Sequence, residues 1–242
     1  MITWLNFLNC DRIDVLEFPS KKLTGSLNQL RLDGFRIDFI NITTEFEIPV
    51  ILAVISQGEI KYSSVNYMAF GLGSNLDPRL ALMRAYSEAL EILVNFYNFT
   101  DSRKISVTNR RTKIPQVNLQ SYFKFCSFLT QSRKVTTIDR IPAKIVHNEF
   151  DELDQCLRML NVHNIRIYFS DRTPFSLQGK EYYLMRVFAS YLQPHLYDLD
   201  CWRLQNPRIY SAPLKMGYKN EALNEANLNL VPNPFAIIDN LV

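Results

Sequence analysis

The stretch FGLGSNLDPRLALMRAYSEALEIL, Phe70 to Leu93, carries the reading of this chain. Gly71 and Gly73 predict a turn, and the residues after it predict a long helix. Asp77 suits the N-cap, because its carboxylate can accept from the unpaired amides of the first turn. Pro78 suits the first helical position, where no amide hydrogen is needed. Leu82, Tyr86, Ala89, Leu93 and Phe96 then recur at helical spacing and predict the buried stripe. Arg84, Glu88, Glu91 and Asn95 fall on another face, at steps of four, three and four. A Gly-containing turn before a helix that presents carboxylates in a row can hold metal ions and phosphates. The same face also suits an ordinary solvated helix, with Arg84 and Glu88 as a surface ion pair of about 0.2–0.5 kcal/mol.

Working outward, the pattern is α+β. Lys22 to Leu32 predicts a helix with Leu23, Leu27 and Leu30 on one side, and Gly34 suits its C-terminal end. Phe35 to Ile42 alternates like a strand. Strands are expected at Val50 to Ile55 and Val65 to Phe70, before the long helix that runs to about Asn98. A second unit of the same order follows. Glu152, Leu153, Cys156, Leu157 and Leu160 belong to a helix, and Ile165 to Phe169 and Tyr182 to Ala189 to strands. Two helix–strand–strand units hint at internal duplication. Ser102 to Asn148 is polar and then aromatic, with Tyr122, Phe123, Phe125 and Phe128 suited to a core. No Gly-, Ser- or Pro-rich linker divides the chain, so residues 1–242 are read as one domain, with a Pro-containing tail over about 228–242.

Composition narrows the function classes. Of 242 residues, 47% are hydrophobic, enough for a globular core and too many for disorder. The net charge of +3 gives no strong attraction to nucleic acid or to a membrane surface. The most basic stretch, RKISVTNRRTK from Arg103 to Lys113, suits a solvated loop, or a contact for phosphate or an acidic peptide. Cys10, Cys126, Cys156 and Cys201 form no CxxC pair, which argues against zinc ribbons and dithiol redox chemistry. Scattered cysteines without a signal peptide fit a reducing, cytoplasmic location. The longest apolar run, Ile48 to Ile55, is too short to span a bilayer. His147, His163 and His195 have no metal-ligand spacing.

Several motifs occur in an order that resembles the second half of a YcaO domain. Pro49-Val50 opens an apolar strand; Gly71-x-Gly73 and then Ala81-x-x-x-Ala85-x-x-Glu88 follow. In that family the helix reads like RALTEAAQSR. Arg84, Ala85 and Glu88 match, whereas Glu91 stands where the family usually has Gln and Leu93 where it often has Arg. NPRIYSAPLKMGY, Asn206 to Tyr218, is similar to a late NPRLY-like segment. LNLVPNPFA, Leu228 to Ala236, is similar to the LNPxPHPFP tail, with Pro232, Pro234 and Phe235 matching. Met1 to Leu5 resembles the middle of the domain, so the chain is expected to lack the N-terminal half and its Ser/Glu-rich ATP- and metal-binding motif.

The resemblance implies a YcaO-like fold of two helix–strand–strand units with mixed sheets. It also implies ATP-dependent activation of peptide backbone amides on a ribosomal precursor peptide, such as azoline-forming cyclodehydration in peptide natural-product biosynthesis. ATP and Mg2+ are then the cofactors. Glu88 and Glu91 would be metal ligands; Arg84, Arg103 and Arg208, with the two glutamates, would contact the nucleotide; Pro234 and Phe235 would close the site. Partners would be the precursor peptide and either a leader-binding protein or the missing half. The alternative is a non-catalytic interaction subunit or truncated relative, with an apolar seam that promotes self-association.

Overall fold

The computed structural model of the chain describes residues 2–15, 18, 20–57, 68–101, 126–132, 134–177, 179–192 and 204–228, of which 96–101 as helical backbone only. Among these, a five-stranded sheet is the centre of the fold. Strands β1 (Arg12–Asp14), β2 (Phe35–Asn41), β3 (Val50–Gln57), β4 (Met68–Ser74) and β5 (Val135–Thr137) lie in the order β4-β3-β2-β1-β5. All neighbours are antiparallel except β1 and β5, which run parallel, so the sheet is mixed.

Both faces of this sheet are covered, which explains the unbroken apolar run of β3. Residues Ile51 to Ile55 are all buried, pointing alternately to the two faces. On one face the register aligns Phe39, Ala53 and Gly71 across three strands, and Ile37, Ile55 and Ala69 beside them. Helices α2 (Lys21–Leu32) and α3 (Pro78–Asp101) cover that face with Leu23 and Leu27, and with Leu82, Tyr86, Ala89 and Leu93. On the other face Ile40, Leu52, Val54 and Phe70 pack against Ile2 and Trp4 of the short helix α1 (Ile2–Leu5) and against Leu129 and Ala212.

The ends of these helices follow local chemistry. The Ser20 hydroxyl accepts from the Leu23 amide at 3.3 Å and caps α2. Gly34 takes φ +85°, a left-handed value that reverses the chain cheaply before β2. The Asp77 carboxylate accepts from the Arg79 amide at 2.8 Å, so it caps α3 as expected.

The second unit also has the expected order. Helix α4 (Glu149–Val162) is followed by β6 (Ile167–Asp171) and β7 (Met185–Ala189), which form a separate antiparallel pair. Asn148 caps α4 by accepting from the Asp151 amide at 3.0 Å. Glu149, Asp151 and Glu152 fill the first turn, where the helix dipole favours anions. Glu152 also accepts from the Asn75 side chain at 3.1 Å, tying α4 to the end of β4. Helix α5 (Arg208–Lys215) buries Ile209 against Leu5 and Ala212 against the second face of the sheet.

One sequence expectation is corrected. The glycines do not form a turn after a strand ending at Phe70: β4 runs through Ser74 with Gly71 and Gly73 inside it. The chain reverses over Asn75 to Asp77 instead, where the Asn75 side chain accepts from the Asp77 amide at 2.8 Å.

Candidate functional site

The two glycines are needed because α3 lies directly on β4. A Cβ placed on Gly71 would sit 2.0 Å from the Ala85 carbonyl oxygen, and one on Gly73 would sit 1.9 Å from that of Ala81. Side-chain-free strand positions therefore face the small residues Ala81, Ala85 and Ala89, and the two backbones meet. This contact fixes the height and rotation of α3, and with them its polar face.

That face reaches the outer edge of β4, the last strand of the sheet among the described residues. The Glu88 carboxylate accepts from the Leu72 amide. One turn earlier, Arg84 donates to the Ser74 carbonyl at 2.7 Å. Glu91 is exposed, on the following turn of α3. Arg84, Glu88 and Glu91 are thus brought together on one exposed helix face along β4, and two of them are oriented by strand backbone.

The donor chemistry of this face fits a partial magnesium site. Mg2+ is commonly held by one or two carboxylates, with phosphates and waters completing its shell. Glu88 and Glu91 supply two carboxylates. Among the described residues no group of three or more His, Cys, Asp and Glu side chains gathers as a complete metal site.

Arg208 lies elsewhere. It opens α5, on the sheet face opposite α3. Its Nε donates to Glu45 Oε1 at 2.7 Å and its Nη2 to Oε2 at 3.3 Å. The guanidinium carbon stacks 4.1 Å from the centre of the Phe46 ring. Both charged side chains are nearly enclosed, at 11% and 4% exposure. Burial raises the Glu45 pKa, but the hydrogen bond and charge of Arg208 outweigh it, so the net shift is downward. Arg103, Pro234 and Phe235 lie outside the described residues, as do the rest of the basic stretch, Tyr122, Phe123, Phe125, His195 and Cys201.

Sequence reasoning passed over Asp38. It sits on central strand β2, 1% exposed at its side chain, between Arg12 at 3.1 Å and Arg36 at 2.7 Å. An aspartate in the middle of an apolar strand, with an arginine two residues before it, was the available signal.

A family model described as YcaO cyclodehydratase, ATP- and Mg2+-binding, matches residues 1–192. The chain belongs to the YcaO family. The fold agrees: the YcaO chain is similar to the heterocyclase TruD, with a TM-score of 0.71 and 17% identity over 97% of this chain and 30% of that one. It is similar to a heterocyclase in complex with substrate and cofactor, with a TM-score of 0.75 and 19% identity over 97% of this chain and 29% of that one. A third similar structure is YcaO from Methanopyrus kandleri bound with AMPPCP and Mg2+, at a TM-score of 0.51 and 16% identity over 75% of this chain and 45% of that one. The YcaO chain thus spans under a third of the length of the two heterocyclases. A comparison with curated proteins found no match.

Proposed function

We propose that this YcaO chain contributes to ATP-dependent activation of backbone amides in a ribosomal precursor peptide, as in azoline-forming cyclodehydration, in the cytosol. The observation that carries the reading is the joint placement of Arg84, Glu88 and Glu91 along β4 in a chain of this family. Glu88 would hold Mg2+, Glu91 would add a dispensable second carboxylate or a polar contact, and Arg84 would meet a phosphate. Bound Mg-ATP would supply the group that turns an amide oxygen into a leaving group. The β4 backbone orients Glu88 and Arg84 in advance, so little rotamer entropy is lost when a ligand arrives. Arg103 would add a nucleotide contact, and a partner protein would supply further ones. Pro234 and Phe235 would close the site.

The experiment is mass spectrometry of a precursor peptide incubated with the assembled complex and Mg-ATP. The reading expects loss of one water per modified residue, dependent on both ATP and Mg2+. An unchanged peptide mass together with intact partner binding would favour the second reading, a non-catalytic interaction subunit. That reading is favoured by the engagement of Arg208 with Glu45, which already neutralises one expected nucleotide contact.

A further inference from the structure

Two cavities flank the Arg208–Glu45 pair, and neither is lined by Arg84, Glu88 or Glu91. The larger, about 1100 Å3, is lined by polar groups that include Asn41, Thr43, Thr44, Gln131 and Ser132. The smaller, about 340 Å3, is lined by Phe46, Ile165, Tyr191 and Pro207 among others. Glu45, His163 and Lys215 line both, so the cavities adjoin as two parts of one groove, with Glu45 between them.

Four residues around this groove have left-handed backbone. Glu47, Asn164 and Tyr191 adopt left-handed φ values of 58°, 59° and 58°, and Gly217 adopts 75°. All four line the groove. Asn164 and Gly217 end helices α4 and α5, where left-handed values are ordinary. Glu47 and Tyr191 are the strained pair, at about 1–2 kcal/mol each, and such conformations cluster at binding sites.

We infer that the groove binds a short, uncharged peptide segment, with an apolar side chain in the smaller cavity. This deepens the peptide-modifying function proposed above and rests on it. Charge argues against a nucleotide or a polybasic ligand. The carboxylates Asp11, Glu45 and Glu47 face the cations Lys134, Lys215 and Arg208, three against three. Lys134 is already 2.9 Å from Asp11, and Arg208 holds Glu45. A strongly charged ligand of either sign would have to break these pairs. Side-chain amides and hydroxyls match the alternating donors and acceptors of an extended peptide. The larger volume is at or above the roughly 300–1,000 Å3 of small-molecule sites, which suits several residues.

The test is an amide NMR titration of the full chain with acetyl-Gly-Ser-Gly-Thr-Gly-Phe-amide. Shifts are expected at Thr44, Glu47, Tyr191 and Gly217. Replacing the peptide's Phe by Ala should weaken binding about tenfold, the loss of one well-filled contact. Replacing its Thr by Lys or Glu should not tighten binding. Thr44→Trp, which puts an indole into the larger cavity, and Tyr191→Ala, in the smaller, should each weaken it. Shifts absent or scattered over the surface, or tighter binding of either charged peptide, would overturn the inference. A complex that dehydrates its precursor with unchanged KM in both variants would also overturn it. A chain that binds the hexapeptide as expected, in a complex that performs no ATP-dependent dehydration, would instead sink the proposed activity and leave the groove standing.

Discussion

Gly71 of β4 and Ala85 of α3 are in backbone contact, with room for no more than a hydrogen on the strand residue. The contact sets the position of Glu88, three residues further along the helix, against the Leu72 amide.

Gly71→Ala and Gly73→Ala should therefore destabilise the chain. The added methyl would meet carbonyl oxygen of the helix backbone, which cannot rotate away as a side chain can. Overpacking typically costs about 1–3 kcal/mol, and a rigid neighbour puts these changes at or above that range. Denaturant titration checks this, with Gly25→Ala as the control: a Cβ at Gly25, inside α2, meets nothing within 4 Å. The control should be neutral or slightly stabilising, because alanine favours helix more than glycine does.

These glycines also show what was legible in the chain. Caps and apolar periods are local signals, so Asp77, the buried stripe of α3 from Leu82 to Leu93 and the Gly34 end of α2 follow from neighbouring residues. A glycine that admits another backbone looks in sequence like one that makes a turn, and only the packing of α3 separates the two. Strands β1 and β5 have three residues each, too few for a period to register. The partner of Arg208 is 163 positions away, so no spacing rule could pair it with Glu45.

The Arg208–Glu45 pair should make stability depend on acidity. The Glu45 pKa is lowered in the fold, so its contribution is present above the ordinary glutamate value of 4.5 and is lost as pH falls through the lower folded-state value. Arg208→Met leaves a carboxylate enclosed without its partner and should cost about 3–5 kcal/mol near neutral pH. The loss should shrink in acid, once Glu45 is protonated. Urea titrations of both proteins between pH 3 and 7 measure this; a cost independent of pH would mean that packing on Phe46 matters more than charge.

The buried thiols should be unreactive. Burial pushes Cys126 up to about 12 and, against weaker opposing hydrogen bonds from Tyr218 and Thr3, pushes Cys10 up to about 11. Cys156 is partly exposed and is also raised, by burial and by Glu152. Alkylation at pH 8 followed by peptide mass spectrometry should label Cys156 well before the other two. Equal labelling in the native protein would mean that the second face of the sheet opens readily.

The second unit should drive association. Helix α4 exposes Phe150, Leu153 and Leu157, and the hairpin of β6 and β7 exposes Phe169, Val187 and Phe188. A two-stranded hairpin is marginal alone, and a large exposed apolar patch marks an interface or an aggregation risk. The net charge of +3 offers little repulsion. Light scattering over a concentration series should show self-association, reduced by Phe150→Asp with Leu153→Lys. A monomer at high concentration that binds no hydrophobic dye would contradict this.

The central claim is that the α3 face serves Mg-ATP chemistry, and Glu88→Gln tests it most directly. Glutamine keeps a carbonyl oxygen able to accept the Leu72 amide, so a purely structural Glu88 tolerates the change. A metal ligand does not, because the charge is gone. Glu91→Gln restores the residue usual in the resembling helix. The measurement is the rate of ATP- and Mg2+-dependent water loss from the precursor peptide in the assembled complex. The account predicts a fall of at least about 100-fold for Glu88→Gln, at or beyond the loss typical of disturbing a metal site's surroundings, and near-normal turnover for Glu91→Gln. Equal and mild effects of both substitutions, with the fold intact, would contradict it and make this face an ordinary solvated helix surface.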